Sequence, residues 1–147
     1  MKKVTTMTRG KMLIILNKVP FFKDFTPYER ERVVDNDAGF FVAEANEYII
    51  EQGTLDTAFY ILLSGGADVK LGDNETSVAR IVPGDFFGEI AFLRNTPRTS
   101  HVVASETAIL LRVDRRLLGA LSADIREKIK DKIIDKLLMM LATAQAK

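Results

Sequence analysis

The sequence predicts an α+β domain: a β-barrel or jelly-roll sandwich with one short internal helix, flanked by N-terminal and C-terminal helices. Three observations predict it. Short segments rich in β-branched and aromatic residues, separated by turn residues, run from residue 39 to residue 113, at the roughly 8–12-residue spacing of sandwiches and barrels. Helical periodicity precedes and follows them. The 147 residues, 47% of them hydrophobic, are enough for one core of ordinary size. No repeat, low-complexity tract or linker interrupts the chain. Residues 1–147 therefore read as a single domain, with a helical lead-in over 8–35, the barrel over 39–113 and C-terminal helices over 114–145.

Each element has a local reason. Met12, Ile15, Leu16 and Val19 repeat at helical spacing behind Thr8, a suitable N-cap, and Pro20 ends the run. In VPFFKDFTPYERERVVD, Thr26 is a cap, Pro27 suits the first helical position and Glu29 completes a capping box, so a helix is expected over Pro27–Val34. Strands follow in GFFVAEANEYIIEQG and TAFYILLSGGADVKLGDNETSVARIV. Asn46, Gly53, Gly65-Gly66, Gly72-Asp73-Asn74 and Pro83-Gly84-Asp85 mark the turns between them. HVVASETAILLRVD adds two strands around Ser105-Glu106. DRRLLGALS is a short helix ending near Ser122. The last helix carries an apolar stripe of Ile125, Ile129, Ile133, Leu137, Met140, Leu141 and Ala144, with Lys128, Lys130, Lys132 and Lys136 as a solvated face.

Composition removes several functions. No apolar run reaches the roughly 18 residues of a membrane span. The basic start MKKVTTMTRGKMLIILNK has too short an apolar core for a secretory leader. There is no cysteine, which excludes disulfides and thiolate chemistry, and a single histidine, His101, which disfavours a cupin-like metal site. His101 falls in a strand and reads as structural. A net charge of +1 with both signs interspersed gives no electrostatic footprint for nucleic acid. The expectation is a cytoplasmic protein with no catalytic group, no metal and no cofactor.

One stretch stands out. In PGDFFGEIAFLRNTPRTS, Gly88 and Glu89 open a short apolar helix, FGEIAFL, and Arg98 follows nine residues after the glutamate. Unpaired amides at a helix start favour an anion, glycine permits close approach, and a guanidinium binds phosphate oxygens in a two-pronged fashion. A carboxylate beside a phosphate makes sense if it accepts a hydrogen bond from a ligand hydroxyl, such as a ribose 2′-OH, while Arg98 balances its charge. Spacing alone leaves a second reading open, an ordinary surface ion pair contributing about 0–1 kcal/mol.

PGDFFGEIAFLRNTPRTSHVVA resembles the phosphate-binding cassette of the cyclic nucleotide-binding domain family. That family includes cAMP- and cGMP-dependent kinase regulatory modules, catabolite-activator-type regulators and cyclic-nucleotide-gated channels. Phe87-Gly88-Glu89, Ile90-Ala91-Phe92-Leu93 and Arg98-Thr99-Ser100 carry the likeness. IIEQGTLDTAFYILLSGGADVKL, with Gly53, Asp56, Tyr60, Ile61 and Gly65, resembles the family's hairpins, and VPFFKDFTPYERERVV its helical lead-in. The resemblance implies that Glu89 accepts the ribose hydroxyl, Arg98 pairs with the cyclic phosphate, and Gly88, Ile90, Ala91 and Thr99 line ribose and phosphate. Ser100 either adds a hydroxyl or begins the next strand. Thr99 also matches a position that aids cGMP recognition in some relatives. Phe92 replaces the usual aliphatic residue, either as core packing or by narrowing the pocket. Leu137 or Met140 is the candidate base lid.

The implied function is a regulatory, non-enzymatic sensor of cAMP or cGMP whose terminal helices move when the cassette closes. Its implied partners are the nucleotide and, through the C-terminal helix, a second copy or an effector domain, with no nucleic acid and no membrane. The alternative is an interaction scaffold of the same fold that binds no nucleotide.

Overall fold

The computed structural model describes residues 1–36 and 39–145. A short strand β1 (Lys2–Lys3) leads into α1 (Arg9–Lys18), a 3-10 turn over Pro20–Phe22 and α2 (Pro27–Asp35). The strands are β2 (Gly39–Ala43), β3 (Tyr48–Ile50), β4 (Phe59–Ser64), β5 (Ala67–Lys70), β6 (Ala79–Ile81), β7 (Phe86–Phe87), β8 (His101–Ala104) and β9 (Ala108–Val113). Helix α3 (Glu89–Arg94) interrupts them, and α4 (Arg115–Ala120) and α5 (Ala123–Gln145) close the chain. The strands pair antiparallel in two sheets, ordered β1-β2-β9-β4-β7 and β3-β8-β5-β6. This is the α+β, jelly-roll-like sandwich that the turn spacing predicts.

The expected caps form. The Thr8 hydroxyl accepts from the Lys11 amide at 3.2 Å. Thr26 and Glu29 exchange both bonds of the capping box, at 3.1 and 2.8 Å. The turn residues also act as expected: Asn46, Gly53, Gly65, Gly72 and Gly84 all have positive φ. At Gly65 (φ +87) a Cβ would stand 2.2 Å from the Thr107 carbonyl oxygen, so the chain needs glycine there both for its conformation and for the close approach of β9.

Two cores sit on opposite faces of β4 and β9. Tyr60, Leu62, Ala108 and Leu110 face the second sheet, with Ile50, Phe87 and Val102. Phe59, Ile61, Leu111 and Val113 face the helices, where Leu16, Phe21, Phe22, Phe25, Ile125, Ile129 and Ile133 pack. Because β4 is covered on both sides, FYILLS reads as a continuous apolar run rather than an alternation.

Two features depart from expectation. Strand β1 carries only two lysines, and backbone pairing with Phe41 and Val42 makes it a strand. On α5 the apolar stripe packs through Ile133 and, partly, Leu137. Met140 and Leu141 lie beyond the packed turns and are 54% and 55% exposed. No helix among the described residues is long and apolar enough to cross a membrane.

Candidate functional site

Strand β7 pairs with β4, setting Phe87 opposite Tyr60. The chain then turns at Gly88 in the left-handed region (φ 84°, ψ 10°) and enters α3. A Cβ at Gly88 would lie 2.8 Å from Arg98 Nη1 and 3.1 Å from Ile50 Cδ1. The glycine is therefore required both by the turn and by the guanidinium packed against it. Helix α3 ends at Asn95, itself left-handed, whose amide donates to the Ala91 carbonyl at 2.9 Å.

Phe92 settles between its two readings. It is 3% exposed, its ring meets Phe59 edge-on at 5.1 Å, and the Arg115 guanidinium lies 4.9 Å from its centroid. It packs the core on the side of the helix away from the cleft.

The return loop places Arg98. Its amide donates to the Thr54 carbonyl and its carbonyl accepts from the Gly53 amide, both at 2.9 Å. The guanidinium turns inward and the residue is 5% exposed. Nη1 donates to the Gly88 carbonyl at 2.9 Å, Nη2 donates to the Ala58 carbonyl, and Nη2 lies 3.4 Å from Asp56 Oδ2. Its buried Nε has no hydrogen-bond partner among the described residues.

Asp56 gathers more than Arg98. It accepts from Arg112 Nη2 at 3.1 Å, the Tyr60 hydroxyl at 3.0 Å and the Ala58 amide at 3.2 Å. Partial burial pushes its carboxyl up, but these donors and the two guanidiniums outweigh that and hold it below its ordinary value. Burial, then the Asp56 charge, pushes the Tyr60 phenol up to about 12. The two signs are opposite. Stability from Asp56 is present above the unfolded carboxyl value of about 4 and is lost as pH falls through its lower folded value. Stability from Tyr60 is intact below the unfolded phenol value of about 10 and declines as pH rises toward its raised folded value. In an alkaline titration of the folded protein followed by tyrosinate absorbance, one of the three tyrosines is expected to ionise late. Tyr60→Phe should remove that late step; an unchanged curve would contradict the assignment.

Glu89 is 5% exposed. Its partner is not Arg98 but Lys136 of α5, whose Nζ stands 3.0 Å from Oε1, 2.5 Å from the Phe86 carbonyl and 4.6 Å from the Phe86 ring centroid. This corrects two expectations. Arg98 is taken up by Asp56, so it does not supply the counter-charge to Glu89. Lys128, Lys132 and Lys136 are not a solvated face, because Lys128 and Lys132 pair with Glu29 at 2.5 Å and Asp24 at 2.9 Å.

Gly88, Glu89, Ile90, Ala91, Arg98, Thr99 and Ser100 all line one cleft of about 140 Å³, walled by Ile50, Val69, Phe87 and Val102 of the second core. The proposed lid residues lie elsewhere. Leu137 packs on the helical core and Met140 is 54% exposed. His101 accepts the Gln52 amide on Nδ1 at 3.0 Å and stacks on Tyr48 at 5.0 Å, a structural role. Asp73 and Asn74 lie in a turn, where Asn74 accepts the Thr76 amide at 2.9 Å. Among the described residues no group of three His, Cys, Asp or Glu side chains could hold a metal ion.

Apolar walls, one buried carboxylate and one buried guanidinium with a spare donor suit a ligand with a hydroxyl and an anionic group. Residues 41–124 match the family described as cyclic nucleotide-binding domain. The chain belongs to the cyclic nucleotide-binding domain family. Among curated proteins, this cyclic nucleotide-binding domain is 34% identical over 139 residues to a cAMP-dependent protein kinase regulatory subunit of Colletotrichum orbiculare, covering 88% of this chain and 34% of that protein. The domain thus spans about a third of that relative's length. Among solved structures it resembles cAMP-bound PfPKA-R (TM-score 0.69, 30% identity, covering 91% of this chain and 47% of that one). It also resembles the regulatory subunit of a cAMP-independent protein kinase A from Trypanosoma brucei (TM-score 0.71, 27% identity, covering 87% and 45%).

The sequence did not disclose the roles of Asp56 and Lys136. Asp56 lies 42 positions before Arg98 and Lys136 lies 47 after Glu89. The one available signal was the i, i+4, i+8 row Lys128-Lys132-Lys136, which fits a docked edge as well as a solvated one.

Proposed function

We propose that this domain is a regulatory sensor that binds a cyclic nucleotide, cAMP before cGMP, without chemistry on it. The carrying observation is Arg98: a guanidinium held by two carbonyls and Asp56, 5% exposed, with an Nε lacking any partner among the described residues. A buried donor without an acceptor is costly, and a phosphate oxygen supplies the acceptor with charge. Glu89 takes the ribose hydroxyl. Gly88, Ile90, Ala91, Thr99 and Ser100 surround the sugar-phosphate. At about 140 Å³ the cleft is smaller than the roughly 300–1,000 Å³ common for small-molecule sites. It accommodates the sugar-phosphate and leaves the base toward solvent, where a terminal helix closes in response. The resemblance to kinase regulatory subunits supports a regulatory output through the terminal helices, to a second copy or an effector such as a kinase catalytic subunit.

The test is thermal. At about 100 times the dissociation constant, ligand stabilises by ~2.7 kcal/mol, so the melting temperature should rise by roughly 5–10 °C for a domain of this size. Absence of any shift with millimolar cAMP and cGMP would favour a second reading, an interaction scaffold that binds no nucleotide. The likeness to the subunit named as cAMP-independent is the observation on that side.

A further inference from the structure

The sheet that walls the nucleotide cleft has a second face. Along β8, Val102 and Ala104 enter the second core, while His101 and Val103 alternate outward. In the strand pairing Lys70 stands opposite His101, and Tyr48 opposite Val103. The connections at the ends of these strands bring Asn46, Glu51, Asp73, Asn74 and Glu75 around them. The result is an open cleft of about 700 Å³, within the roughly 300–1,000 Å³ common for ligand sites. It shares no lining residue with the nucleotide cleft.

Two features are built into this outer cleft. The first is an aromatic surface. Tyr48 is 53% exposed, and His101 braces its ring, stacked at 5.0 Å with 11° between the planes. His101 is itself fixed, because its Nδ1 accepts the Gln52 amide at 3.0 Å. The Gln52 side chain accepts the Gly72 amide at 2.8 Å, which fastens the loop of Asp73 and Glu75 to the same point. The second feature is charge. Three carboxylates, of Glu51, Asp73 and Glu75, share the cleft with one ammonium, that of Lys70, in a chain whose net charge is +1. Among the described residues no cation pairs with any of the three.

These features select a ligand. The carboxylates repel an anion, and among the described residues no three acidic or imidazole groups converge to hold a metal ion. A guanidinium suits both the ring and the charge. It lies flat on an aromatic face and offers a planar fork of donors to carboxylates, whereas an ammonium is a compact point charge. We propose that this outer face docks a basic segment of a partner protein, with an arginine guanidinium on Tyr48 and the carboxylates of Glu51, Asp73 and Glu75 around it. The sheet separates this cleft from the nucleotide site, so both can be filled at once. The proposal stands independently of the nucleotide reading.

The experiment titrates the chain with the amidated peptide acetyl-Gly-Arg-Gly-Arg-Gly and with its lysine counterpart, followed by protein NMR. Expected are saturable shifts centred on Tyr48, His101 and the loop of Asp73 and Glu75, weaker binding as salt is raised, and weaker binding of the lysine peptide. Tyr48→Ala and Glu75→Gln should each weaken the arginine peptide about two- to fivefold and leave the response of the melting temperature to cAMP unchanged. Glu75 lies in an exposed loop, so its variant keeps the test valid if Tyr48→Ala fails to fold. Arg98→Ala should bind the peptide as the wild type does. Equal affinity for the two peptides overturns the proposal, because it reduces the cleft to a patch of negative charge. So does wild-type affinity in the folded variants, the absence of any shift at millimolar peptide, or a second saturable cAMP-binding event that Tyr48→Ala removes.

Discussion

Arg98→Ala is expected to abolish the rise in melting temperature produced by cAMP while leaving a folded protein. Truncating one partner of a buried, hydrogen-bonded charge pair costs about 2–5 kcal/mol of binding. The fold loses less. The Gly88 carbonyl keeps the Phe92 amide at 3.4 Å, and the Ala58 carbonyl gives up the Arg98 donor, at about 1–3 kcal/mol for a buried acceptor left alone. Asp56 keeps Arg112, Tyr60 and the Ala58 amide. Arg98→Lys should fall nearly as far, because an ammonium cannot serve two carbonyls and a phosphate from one planar fork. Thermal shift and calorimetry on the same samples decide the matter: a wild-type response to cAMP in Arg98→Ala would end the phosphate assignment.

Phe59→Ala carries the largest expected cost to the fold, about 3–5 kcal/mol. Phe59 is fully buried in β4 and meets Phe86 at 6.0 Å and Phe92 at 5.1 Å. Phe86 lies under the Lys136 ammonium and Phe92 anchors α3, so one ring supports both sides of the Lys136–Glu89 pair. Urea unfolding measures the loss, which corresponds to a fall of roughly 10 °C in melting temperature for a domain of this size. A loss below about 1 kcal/mol would show that the aromatic cluster repacks around the gap.

These two residues also show where sequence reading succeeds and where it stops. Thr26 with Glu29, the positive-φ glycines and Asn46 act through neighbours in the chain, so their signatures are legible locally. Gly88, Glu89 and Arg98 are close in sequence and the loop returns them to one cleft, so the cassette was legible too. Strand β1 was not, because two lysines carry no pattern and only pairing to β2 makes them a strand. The partners of Arg98 and Glu89 were not, because a solvated lysine and a paired one look alike until the fold sets α5 beside α3. The apolar stripe of α5 was read about two turns too far in the same way: periodicity records which residues share a face, not how much of that face finds something to cover it.

The grip on Arg98 has a consequence for how such a domain varies. Its backbone is held by Gly53 and Thr54, and its side chain by Asp56 and Ala58. Among the described residues, a single short connection between β3 and β4 therefore supplies every polar hold on Arg98 except the Gly88 carbonyl. Leu55, at the crest of that connection, is 71% exposed. Substitutions or insertions at this crest can retune affinity over evolutionary time without altering any residue that meets the ligand.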